Sequence, residues 1–90
     1  MSGFFVLDVL EFSPLIRVAE RTAGCKIHPP LNGYWFVEFK DAMTIRRSDT
    51  SMSEAVWFGC LTAGLIGKIT KFDNDVLVLN ATNEPILGLA

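Results

Sequence analysis

Apolar and polar positions alternate along this chain in short blocks, and the block boundaries carry recognisable turn and cap residues. Phe4-Phe5-Val6-Leu7 opens a stretch rich in Phe and Val that predicts a strand over 4–12. Ser13-Pro14 follows, a serine suited to a helix N-cap and a proline suited to the first helical position. From Pro14 to Ala23, Leu15, Ile16, Val18 and Ala19 recur at helical spacing while Arg17, Glu20 and Arg21 lie toward the other side, and Gly24 supplies a left-handed stop. This pattern predicts a helix lying on a sheet.

Pro29-Pro30 and Asn32-Gly33 read as an irregular connection. Beyond it, Tyr34-Trp35-Phe36-Val37-Glu38-Phe39 is the strongest strand by aromatic and β-branched content. Period two puts Trp35, Val37 and Phe39 on one face and Tyr34, Phe36 and Glu38 on the other. Asp41-Ala42 turns the chain into a strand over 43–47, and Ser51-x-x-Glu54 has the spacing of a capping box, which predicts a second helix over 52–66. Residues 68–72 and 76–80 read as strands around Asp73-Asn74-Asp75. The order strand, helix, strand, strand, helix, strand, strand predicts an α+β fold. Its architecture is a ferredoxin-like two-layer sandwich, βαββαβ with an extra C-terminal strand, in which two helices cover an antiparallel sheet. Residues 1–80 form the single α+β domain, and 81–90 form a tail that is irregular or docked.

The predicted second helix is apolar nearly all round, with Ser53 and Glu54 in its first turn and Thr62 further in. A two-layer domain cannot hide such a helix, so part of it is expected to meet another chain. Ala55, Gly59, Ala63 and Gly67 recur every fourth residue, a stripe of small side chains that lets a neighbouring backbone approach. Trp57, Phe58, Leu61 and Leu65 flank it, and with Trp35, Phe36 and Tyr34 they are the candidate partner-binding residues, Trp57, Phe58 and Trp35 being the anchors.

Composition narrows the function classes. Half of the 90 residues are apolar, so the chain folds, yet a domain of this size has only a thin core. A net charge of −2, with Arg46-Arg47 the only adjacent basic pair, opposes general phosphate attraction. No signal peptide is read at Met1-Ser2-Gly3. The longest apolar run, Ala55 to Gly67, is too short to cross a bilayer, and the expected location is cytoplasmic with Cys25 and Cys60 as reduced thiols.

The chemical motifs fail on spacing or on partners. Cys25-x-x-His28 is half of a zinc site without a second ligand pair, and packed Cys25 with a loop His28 is the simpler reading. The single histidine sits near no Gly-x-Ser-x-Gly turn, and Gly64-Leu65-Ile66-Gly67-Lys68-Ile69 lacks the spacing and the hydroxyl of a phosphate loop. Asn80-Ala81-Thr82 is a sequon without a secretory context, and Glu11, Glu38 and Asp41 are read as solvated carboxylates. No catalytic set, cofactor or metal site is assigned.

Gly33-Tyr34-Trp35-Phe36-Val37-Glu38-Phe39 resembles the aromatic strand motif of RNA-recognition-motif domains, and Phe4-Phe5-Val6-Leu7-Asp8-Val9 resembles their partner strand. The resemblance implies base stacking on Phe5, Tyr34 and Phe36. It covers about fifteen residues, and Asn32 stands where that family has Lys or Arg, Trp35 where it has Gly or Ala. The expected function is therefore a non-enzymatic binding protein that associates with itself or with another protein. A small-molecule binder or small enzyme with an aromatic-lined cleft is the second class, and a divergent single-strand RNA binder the third.

Overall fold

The computed structural model describes residues 2–86. Six strands and three helices alternate along it as an α+β domain: β1 (Ser2–Leu7), α1 (Ser13–Glu20), β2 (Cys25–Leu31), β3 (Tyr34–Phe39), β4 (Ala42–Arg46), α2 (Arg47–Thr50), α3 (Glu54–Trp57), β5 (Leu65–Phe72) and β6 (Val76–Ile86). The strands form one sheet in the order β2-β3-β1-β5-β6-β4, with every neighbouring pair antiparallel. The sandwich expected from the sequence has five strands and two long helices, so both the strand count and the order depart from it.

Two departures have local causes. The segment around Pro29-Pro30 is a strand, because β2 is a sheet edge and the missing proline N–H groups break only one ladder. Asn32 and Gly33 form the two-residue loop that joins it to β3, both at positive φ (56° and 86°), with Leu31 opposite Tyr34. That is the left-handed pair that a tight hairpin requires. His28 accordingly sits in a strand rather than in a loop.

The helix predicted over 52–66 is not formed. Only Glu54–Trp57 is helical, capped by the Ser53 hydroxyl, which accepts from the Val56 N–H. Turns carry the chain from Phe58 to Ala63, Gly64 lies at φ 130°, and Leu65 and Ile66 enter β5 opposite Phe4 and Gly3. Gly59, Gly64 and Gly67 each cost an α-helix about 1 kcal/mol relative to alanine, and the sheet ladder offers Leu65-Ile66 a better partner. The stripe of small residues consequently never lines up on one helical face.

The chain from Lys40 to Asp41 is the sole link between β3 and β4, although three strands stand between them in the sheet. In a flat sheet four strand spacings are about 19 Å, whereas three Cα–Cα steps reach at most about 11 Å. The sheet must therefore roll. Its two edges approach each other where the thiol of Cys25 on β2 donates to Met43 Sδ on β4 at 3.9 Å. The Lys40 N–H donates to the Gly24 carbonyl, and the Ala81 N–H to that of Asp41, fastening the same end. Gly67 bends β5 at a register shift, with φ 153°; a Cβ there would lie 3.0 Å from the Phe39 ring and 3.1 Å from the Asn80 carbonyl. Helix α1 packs on β2 at one edge and on α2, which follows β4, at the other.

Inside the roll lie Phe4, Val6, Val37, Phe39, Met43, Ile45, Leu65, Leu77 and Leu79, closed off by Leu15, Ile16 and Ala19 of α1 and by Trp57. Trp57 is fully buried; its indole N–H donates to the Asp73 carbonyl at 2.7 Å and its ring meets Phe72 edge-on. Asp73 also organises the β5–β6 turn, its carboxylate accepting from the Asp75 and Val76 N–H groups, which holds its pKa below the usual value. Residues 81–86, read from the sequence as part of a tail, continue β6, and 87–90 lie outside the described residues. Trp57→Ala is expected to cost about 3–5 kcal/mol of folding stability; a urea denaturation curve with an unchanged midpoint would remove Trp57 from the core.

Candidate functional site

Rolling the sheet gives it an inner face that forms the core and an outer face that meets water, and the outer face is divided into two unlike halves. Across β2, β3, β1 and β5 the outward positions are His28 and Lys26, then Tyr34, Phe36 and Glu38, then Phe5 and Leu7, then Ile66. The register sets His28 opposite Phe36, Phe36 opposite Phe5, Tyr34 opposite both Leu31 and Leu7, and Ile66 opposite Gly3. The result is a continuous apolar band. Over β5, β6 and β4 the outward residues are instead Lys68, Thr70, Val78, Asn80, Thr44 and Arg46, with the Thr70 hydroxyl donating to Asn80.

The band is organised around Phe36. Its ring centroid is 4.8 Å from that of Phe5 and 5.7 Å from that of His28. It lies over Gly3, where a Cβ would come within 2.5 Å of both the ring and the Val37 carbonyl, so the absent side chain is what admits the aromatic. His28 Nε2 and Glu38 Oε1 are hydrogen-bonded at 2.7 Å, with 36% and 33% of their side-chain surfaces still exposed. At the hairpin end Leu31 is 76% exposed and Tyr34 41%, with Leu7 beside them at 39%. Large apolar side chains exposed together, rather than singly, are the surface feature that calls for an explanation.

Of the partner-binding candidates, the structure brings Tyr34 and Phe36 onto this face. Trp35 points to the other side of β3, half-buried against the core, with its indole N–H donating to Asp8 at 3.0 Å. Trp57 and Leu65 are core residues, and Leu61 is half-buried against them. Phe58 is exposed but packs on Phe72, at the opposite end of β5 from Ile66. Phe5, Tyr34 and Phe36, the trio singled out by the RNA-recognition-motif resemblance, share the face. Sequence reasoning missed Leu7, Leu31, His28 and Ile66; the period-two alternation of Tyr34, Phe36 and Glu38 was the available signal, and strand pairing is what it lacked.

Cys25 and His28 are three residues apart in one strand and point to opposite faces, which separates the two ligands of the zinc half-site. Among the described residues no group of three or more His, Cys, Asp or Glu is placed to hold a metal ion, and no helix is long and apolar enough to cross a membrane. Two surface clefts, of about 380 and 500 Å³, are lined by Arg46, Arg47, Ser48, Ser51, Met52 and Asp75 and by Val18, Arg21, Thr22 and Asp49. Neither has an aromatic wall. In the first, Arg47 is committed to structure, its guanidinium donating to the Asn74 and Met52 carbonyls. Comparison with protein-family models, with curated proteins and with solved structures finds no match.

Burial pushes the Cys60 thiol up to about 12 and raises Cys25 as well, so both are protonated at neutral pH and poorly nucleophilic. Iodoacetamide is expected to modify Cys25 slowly in the folded protein and Cys60 only after denaturant is added. Equal labelling of both thiols without denaturant, read by intact mass, would contradict the packing around Cys60.

Proposed function

We propose that this protein is a non-enzymatic interaction module whose outer sheet face across β2, β3, β1 and β5 docks onto the same face of a second copy. The observation that carries the reading is the division of the outer face, with exposed and half-exposed Leu31, Tyr34, Leu7, Phe36, Phe5 and Ile66 on one half and polar residues on the other. Monomeric domains bury or scatter such side chains; a contiguous set belongs to an interface. Two copies meeting here stack sheet on sheet, the arrangement in which outward side chains of two twisted sheets interdigitate. The face is free of unpaired charge at its centre, where His28 and Glu38 are bonded to each other, so two chains of net charge −2 meet where repulsion is least. The cytoplasm is the compartment this reading assumes.

The dimensions set the strength. Three strand spacings by six residues of rise give a footprint of roughly 14 by 20 Å, or about 300 Å² in plan. That is below half of the ~800 Å² per partner of a standard stable interface, so a weak, concentration-dependent dimer is the consistent outcome.

Sedimentation equilibrium from micromolar to millimolar concentration tests this. The wild-type mass is expected to rise toward that of a dimer, while Leu31→Glu/Tyr34→Glu, changed at exposed sites, stays monomeric with an unaltered circular dichroism spectrum. A wild-type chain that remains monomeric throughout overturns the reading. So does single-stranded RNA binding that is lost with alanine at Tyr34 and Phe36, which would assign the face to bases instead.

A further inference from the structure

We infer that docking through this face takes up a proton at His28, an inference that rests on the self-association proposed above. The His28–Glu38 pair stands beside Phe36, within the area a second copy would cover, and about a third of each side chain still faces water in the single chain. With His28 neutral, its Nε2–H donates to the carboxylate and the pair keeps one negative charge. With His28 protonated, the same hydrogen bond joins opposite charges and the pair is neutral.

Covering the pair strips the water that supports the carboxylate. Removing a lone charge from water is costly, whereas an ion pair with good hydrogen-bond geometry recovers much of that cost. The docked state therefore favours the protonated histidine, the side chain that changes charge in the near-neutral range.

The surroundings of the pair leave that balance to His28. On β1 the residue opposite Glu38 is Gly3, which brings no side chain. Phe36, Phe5 and Ile66 bring no charge. Lys26 lies opposite Glu38 on β2 and is exposed; among the described residues it forms no ion pair, and from the edge strand its long stem carries the ammonium out to water. Tyr34 stands beyond Phe36 on β3, and no helix covers this face.

Linkage makes the effect reciprocal: if protonation strengthens docking, docking must make His28 easier to protonate by the same factor. The chain contains one histidine, so its ring resonance reports the site without ambiguity.

The test is sedimentation equilibrium of wild type and His28→Gln at about pH 5.5 and about pH 8, with nuclear magnetic resonance titration of the histidine ring in dilute and concentrated samples. Glutamine keeps an N–H donor for Glu38 but cannot charge. Wild-type association is expected to tighten roughly tenfold toward the lower pH, the factor that a one-unit change in proton affinity represents, and the ring's titration midpoint to rise with protein concentration. His28→Gln is expected to associate with no comparable pH dependence. A wild-type dimer of equal strength at both pH values, a midpoint independent of concentration, or a His28→Gln dimer that tightens as the wild type does, each overturns the inference and leaves the docking face standing. A strict monomer under both conditions removes the docking face and the inference together.

Discussion

Lys40 and Asp41 bridge strands that stand four places apart in the sheet, and the rest of the molecule follows from what so short a bridge permits. A flat sheet would place β3 and β4 too far apart for two residues to join, so the sheet rolls until its edges approach at Cys25 and Met43. Once rolled, it has an inside narrow enough to be filled by one layer of side chains and an outside too strongly curved for any helix of this chain to cover. Gly67 provides the bend, and α1 occupies the gap between the edges. A domain of ninety residues thus obtains a closed core without long helices.

The alternation of apolar and polar residues identified the strand at Tyr34–Phe39, the helix beginning at Ser13-Pro14 and the Asp73-Asn74-Asp75 turn, because each is set by neighbours within a few positions. The α+β class followed from their order. What the pattern missed depends on distant partners. A continuous apolar run such as Ala55 to Gly67 has no readable period, and only the neighbouring strand at Gly3 and Phe4 decides that Leu65-Ile66 is extended. Pro29-Pro30 excluded a central strand correctly, but an edge strand tolerates them. The candidate face was half-legible: Tyr34, Phe36 and Glu38 share a side by period alone, whereas the approach of Phe5, His28 and Ile66 needs the sheet order.

Apolar residues on the outer face are an expense that stability alone does not explain. The core is already filled by the inner side chains, and every described buried polar side-chain atom has a hydrogen-bond partner. Phe36 is nonetheless given a glycine to rest on and a histidine to lean against, which fixes the ring in place before anything docks. A surface ordered in advance loses less conformational freedom when it is covered, so a small contact area can still yield a specific complex.

The same two-residue bridge orders events during synthesis. β1, β2 and β3 can pair as soon as Phe39 has emerged, but β4 pairs only with β6, and β6 begins thirty residues after the end of β4, counting from Arg46 to Val76. Until then β4 has no strand to join, and Phe4, Val6, Val37 and Phe39 form an open apolar floor with no roof. The nascent chain therefore passes through a stage in which its future core is its surface, and the interval lasts as long as a ribosome takes to add those residues, on the order of seconds.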